Sequence, residues 1–222
     1  MPQREKTVTR FAIQFSAALA IVTGLALPAH AADITTEWTS IKAPAAPQLK
    51  PVTVDPRTTA LLVLDLMKNN CGARPRCAAM VPNVKKLIDA ARANNMMIAY
   101  NLTGAGKVED MVDQSLAPRA GDHMIKEGRG ANKFYNSSLE PALKEKGIRT
   151  VIVTGTSAQG AVAGTTQGAT ERGFKAVVPV DAMSSEDAFN ELYAAWHLAK
   201  GGPVALVENV TVTRGDLIKY GN

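Results

Sequence analysis

The stretch TVIVTGTSAQGAVAGTTQGATERGF, residues 150–174, decides the fold. Its first six residues form an apolar strand pattern, a glycine-punctuated turn follows, and small residues then run at helical spacing to Gly173, a residue suited to close a helix. A strand that feeds a helix through a tight turn belongs to a parallel α/β arrangement. Such a turn also aims backbone N–H groups above the sheet edge, where a nucleophile is often mounted. Here the helix opens with Gly160 and Ala161.

The same alternation continues on either side. TALLVLDL, from Thr59, is a continuous apolar run of the kind buried on both faces of a sheet. PNVKKLIDAARANN places Val84, Leu87, Ile88 and Ala91 on one helical stripe, with Pro82 near its first turn. MMIAYNL reads as a strand, VEDMVDQSL as a short helix or irregular excursion, HMIKEG as a weak strand, and SLEPALKEKG as a helix ended by Gly147. Beyond the opening stretch, KAVVPVDA is a strand, SSEDAFNELYAAWHLAK a helix capped by Ser184, and VALVENVTV the last strand. Six strands alternating with helices predict one three-layer α/β/α domain, residues 58–222, with a mostly parallel sheet. The functional cleft of such a sheet lies outside the carboxyl ends of its strands.

The first residues read differently. MPQREKTVTR supplies a positive segment, FAIQFSAALAIVTGLAL an apolar one, and Ala29 and Ala31 the small positions of a cleavage site. Residues 1–31 are therefore expected to be a Sec-type signal peptide cut after Ala31, placing the mature chain in the periplasm or outside the cell, with no membrane attachment after cleavage. Residues 32–57 are Pro-rich and without period, an expected N-terminal arm. The net charge is +5, and the leader removes three basic side chains and one acidic one, leaving about +3. Basic residues alternate with acidic ones, with no run and no aromatic interleaving, which argues against a nucleic-acid partner.

An exported chain meets an oxidising compartment, so Cys71 and Cys77 in CGARPRC are expected to form a disulfide. The alternatives are a metal pair, for which His123 and His197 are the only histidines of the mature chain, or a reactive Cys71 whose thiol Arg74 or Arg76 would acidify. No metal or other cofactor motif is present in the sequence.

Asp65 ends the run LLVLD and projects from a strand end, where it can serve as a general acid or base or else cap a neighbouring loop. Lys126, on or after the third strand, could hold an anion beside it, and Lys133 is an equally basic neighbour. The turn GTSAQGAV offers N–H groups near Gly160 and Ala161 as an oxyanion site, with Thr156, Ser157 and Gln159 at the mouth. Ser157 is a poor nucleophile candidate, since the motif is not G-x-S-x-G and the available bases are His123 and His197.

TALLVLDLMKN, KFYNSSLEPALKEKGIRTVIVTGT and GATERGFKAVVPVDAMS, in this order, resemble the isochorismatase-like hydrolase superfamily, which includes isochorismatases, nicotinamidases and N-carbamoyl amidohydrolases. The resemblance spans about residues 57 to 215. It implies a six-stranded Rossmann-like parallel sheet, a small-molecule substrate, frequent homo-oligomers, and a catalytic Asp, Lys and, in most branches, Cys. Asp65 matches the Asp. The usual Lys position, six residues before Phe134, is Gly128, so Lys126 fits with a small loop expansion while Lys133 adjoins the Phe. Ala161 stands where the nucleophilic Cys is expected, and Met67 replaces a family Gln. Two functions follow from the resemblance: a hydrolase using Asp65 without a cysteine nucleophile, as isochorismatases proper do, or a non-catalytic relative that binds a small ligand.

Overall fold

The computed structural model describes residues 33–103, 106–125 and 130–221. The chain divides into two compact units, residues 1–42 and 43–222. In the first, the described part holds one short helix, α1 (Ile34–Glu37), started by Asp33, whose carboxylate accepts the Thr35 N–H at 2.8 Å. The signal peptide expected at residues 1–31 lies outside the described residues.

In the second unit the chain runs β1 (Val52–Val54), β2 (Thr59–Leu64), α2 (Pro75–Ala93), β3 (Met97–Asn101), β4 (His123–Met124), α3 (Leu139–Glu145), β5 (Thr150–Thr156) and α4 (Ala163–Thr170). It continues with β6 (Lys175–Pro179), β7 (Met183–Ser184), α5 (Ala188–Trp196), α6 (Val204–Asn209), β8 (Val210–Thr213) and β9 (Ile218–Tyr220). The main sheet has the order β4-β3-β2-β5-β6-β8, with every pairing parallel, and β7 joins the tip of β5. This is the α/β architecture read from the sequence.

Strand β2 shows why. All six of its residues are buried. Alternate side chains point to opposite faces, so Ala60, Leu62 and Leu64 join one core with Leu139, Leu143, Phe174 and Leu198, while Leu61 and Val63 join the other with Val84, Leu87 and Ile88 of α2. Helices therefore cover both faces, as a parallel sheet requires. On the second face, Tyr100 is fully buried, and desolvation pushes its hydroxyl up to about 12.

Four local readings change. The Pro-rich stretch before residue 58 contributes β1, which pairs in parallel with β9 through Val52–Ile218 and Val54–Tyr220. Helix α2 starts seven residues earlier than its stripe suggests, with Pro75 in the first turn and Pro82 inside. One missing N–H at Pro82 is outweighed by the burial of Cys77, Met80, Val81 and Val84 around it. VALVENVTV splits into α6 and β8, because the Leu206 and Val207 N–H groups both fold back on the Pro203 carbonyl. Finally, Ser184 lies in β7, and α5 is capped by Asp187, whose carboxylate accepts the Asn190 N–H at 2.9 Å.

Cys71 and Cys77 are bonded, with Cα atoms 5.3 Å apart and both residues buried. The bond closes a loop of six positions and clamps the start of α2. A Cys71→Ala, Cys77→Ala double variant is expected to lose about 2–3 kcal/mol of unfolding free energy through loop-closure entropy. Urea denaturation measures it, and an unchanged midpoint would show that the bond does not stabilise the fold.

Candidate active site

The site forms where β2 and β5 end side by side. Gly155, one residue before the end of β5, has φ +121°, and a Cβ there would lie 2.0 Å from the Leu64 carbonyl oxygen. Only glycine allows the two strand ends to approach this closely. The chain leaving β2 then turns at Asp65, which has φ +58°, an uncommon backbone for a residue with a side chain and one that Asp and Asn tolerate best. Its N–H donates to the Asn101 carbonyl at 3.0 Å, and its own carbonyl accepts the Met67 N–H at 2.9 Å.

This turn directs the Asp65 carboxylate into the protein, where the residue is 6% exposed. Oδ2 meets Lys133 Nζ at 2.8 Å, and the lysine is equally buried. The ammonium also donates to the Gly130 carbonyl at 2.9 Å. Oδ1 is buried and has no hydrogen-bond partner among the described residues. Such an arrangement leaves one carboxylate oxygen charge-matched and the other available.

Helix α4 explains how Lys133 reaches Asp65. Thr165 Oγ1 accepts the Lys133 N–H at 3.1 Å and donates to the Ala131 carbonyl at 3.2 Å. One turn further on, a Cβ at Gly168 would stand 2.3 Å from Asn132 Oδ1, so the missing side chain admits Asn132, whose amide oxygen accepts the Phe134 N–H at 2.9 Å. The small residues of AGTTQGAT thus form a bed for the segment that carries the lysine. Lys126, the other lysine considered, lies outside the described residues.

Beyond β5, the Thr156–Ser157 peptide is cis, and residues 158–162 form a wide helical turn leading into α4. The N–H groups of Gly160 and Val162 both donate to the Ser157 carbonyl at 3.1 Å, so the Gly160 N–H is engaged within the turn. Ala161 is buried at the cleft wall. Gln159 Oε1 accepts the Ser185 hydroxyl at 2.5 Å.

Asp65, Thr156, Ser157, Gln159, Gly160 and Ala161 line one cleft of about 650 Å³. Asn69, Asn70, Arg74 and Glu186 complete its polar walls, and none of these four is marked by the strand-end rule. Their signal in the sequence is weak, because they reach the cleft from loops and from the start of α2. His197, named above as a possible base, is placed elsewhere and stacks on Tyr193. Among the described residues, no group of three or more His, Cys, Asp or Glu is placed to hold a metal ion, and no helix is long and apolar enough to cross a membrane.

This strand-end carboxylate, lysine and turn sit within residues 59–209, which match the model of the Isochorismatase domain. The chain belongs to the isochorismatase family. It is 28% identical over 131 residues to the N-carbamoylsarcosine amidase of Arthrobacter sp, a match covering 47% of this chain and 49% of the amidase, so it spans about half that relative's length. It is 26% identical over 156 residues to the uncharacterized isochorismatase family protein YwoC of Bacillus subtilis (strain 168), covering 60% of this chain and 80% of YwoC. A cysteine hydrolase from Pseudomonas syringae pv. phaseolicola 1448A superposes with a TM-score of 0.67 at 20% identity, over 78% of this chain and 95% of that one. At that identity the likeness is one of fold, and it matches the parallel sheet and flanking helices of the isochorismatase family.

Proposed function

We propose that this isochorismatase-family chain is an exported hydrolase of small molecules that works through Asp65 without a cysteine nucleophile. The observation that carries this reading is the state of the Asp65 carboxylate, with one oxygen neutralised by buried Lys133 and the other buried and unpaired, in a residue that lines the cleft. Ala161 occupies the position that the family resemblance gives to the nucleophilic Cys, and a methyl group cannot attack. Water is then the nucleophile. For an amide, Asp65 Oδ1 takes a proton from the water as its oxygen adds to the carbonyl carbon, then returns it to the nitrogen as the C–N bond breaks. For a vinyl ether, the same carboxyl in its acid form protonates the double-bond carbon, water adds to the cation formed and returns a proton to the carboxylate, and the resulting hemiketal collapses to a carbonyl as its C–O bond breaks and the protonated alcohol leaves. In both cases Lys133 keeps a positive charge beside the carboxylate while the proton moves.

Export is supported by the bonded, buried Cys71–Cys77 pair, which suits an oxidising compartment. Intact mass of the protein recovered from periplasm or medium is expected to begin at Ala32, and a recovered chain that retains Met1 would sink the leader.

A screen of small amides, N-carbamoyl compounds and isochorismate tests the chemistry. Turnover is expected to survive treatment with N-ethylmaleimide, because both cysteines are bonded and neither is the nucleophile. Loss of activity on alkylation would overturn the mechanism. Absence of turnover, with a small anion still raising the melting temperature, would leave ligand binding without catalysis as the function of the cleft.

A further inference from the structure

The cleft contains a second cation that the hydrolytic chemistry does not use. Arg74 lies between the bonded Cys71 and Cys77 and leads directly into Pro75 at the start of α2. The buried disulfide on both sides and the proline ring behind it fix the path of the backbone, so the guanidinium enters the cleft from a constrained segment. Its side chain is 18% exposed. Nη2 donates to Thr156 Oγ1 at 3.1 Å, and that hydroxyl is itself anchored by donating to the Ser184 carbonyl at 3.2 Å. Nη1 donates to Glu186 Oε1 at 3.2 Å, but the Glu186 side chain is 68% exposed.

The two attachments differ in strength. Thr156 is a buried neutral acceptor in the β5 end, whereas Glu186 is a carboxylate largely in water, and a pair of that kind is worth little. The other charged lining group, Asp65, is already matched by Lys133. Asn69, Asn70, Ser157 and Gln159 add neutral walls. Within the described cleft, then, Arg74 is balanced only by a carboxylate that can swing into solvent. A ligand carboxylate that replaces Glu186 exchanges a solvated pair for charge-assisted hydrogen bonds inside the cleft.

We propose that Arg74 is a specificity residue that binds a carboxylate of the substrate, and that Glu186 is the competing carboxylate which the substrate displaces. The substrate class is a small carboxylic acid, held at one end by Arg74 with its hydrolysable group towards Asp65 Oδ1. This rests on reading the cleft as a small-molecule site.

The test reads binding alone, so it stands apart from hydrolysis. Benzoate and malonamate, with benzamide and malonamide as neutral counterparts, are titrated by calorimetry at low salt into the wild-type protein, Arg74→Gln, Glu186→Gln and Asp65→Asn. The wild type and Asp65→Asn are expected to bind at least one carboxylate more tightly than its amide by about tenfold. Arg74→Gln is expected to lose that preference, and Glu186→Gln to strengthen it by about two- to fivefold. Retained carboxylate affinity in Arg74→Gln, weaker affinity in Glu186→Gln, or no carboxylate binding by the wild type at tens of millimolar would each overturn the proposal. Should Arg74→Gln fail to fold, as judged by circular dichroism, the Glu186→Gln result decides by itself. If carboxylates bind as expected while no compound is hydrolysed, the substrate-class assignment survives as a ligand class and only the catalytic reading fails.

Discussion

Lys133→Met is expected to lower the unfolding free energy by about 3–5 kcal/mol at neutral pH, because it leaves the Asp65 carboxylate buried without its cation. The side chains of the pair are 5% and 8% exposed, so water cannot take over the solvation that the ammonium provides. The methionine fills most of the lysine's volume, which keeps a cavity from accounting for the loss. Adding Asp65→Asn in the same chain removes the stranded charge and should recover most of the stability. That recovery separates an electrostatic cost from a packing cost, since packing loss at residue 133 would persist in the double variant. Urea denaturation of the two single variants and the double variant measures the coupling. A single variant within about 0.5 kcal/mol of wild type would show that the pair contributes nothing to the folded state.

Asp65→Asn is expected to lower turnover by about 10²–10⁴-fold on any compound that the wild type hydrolyses, the usual range for loss of a positioned acid or base. Asparagine is the informative replacement. It accepts the same left-handed backbone, φ +58°, and has the same shape, so the turn leaving β2 is preserved while the group that takes up a proton is lost. Circular dichroism should be unchanged, and the fall should appear in kcat more than in KM. Activity within about threefold of wild type would show that Asp65 transfers no proton and would move the chemistry to another residue of the cleft.

Much of the architecture is legible in the residues because a parallel sheet buried on both sides writes itself as continuous apolar runs. TALLVLDL and TVIVTGT announce β2 and β5, and their spacing places Asp65 and the Gly155–Ala161 turn at strand ends. The disulfide was readable too, since two cysteines six positions apart in a chain expected to be exported suit a short-loop bond. Where the reading slipped, a local pattern was overruled by a distant contact. Strand β1 has only three residues and no pattern of its own, and it exists through pairing with β9 at the other end of the domain. Pro82 looks like a helix start, yet the burial that surrounds it carries α2 back to Pro75. Ser184 has the chemistry of a cap, but its place beside Thr156 in the sheet leaves that role to Asp187.

The sequence by itself determined the strand and helix order, the carboxylate at the end of β2, and the absence of a thiol at position 161. Each of these is a property of residue type and short-range period. Only the tertiary structure decided which described lysine meets Asp65 and that Arg74 and Glu186 share the cleft with it. Lys133 is 68 positions from Asp65 and is delivered by a segment whose path is set by the glycines and Thr165 of α4. Arg74 is delivered by a disulfide and the start of a helix. Neither path leaves a periodic trace in the chain, because both arise from close packing between segments that local spacing cannot bring together.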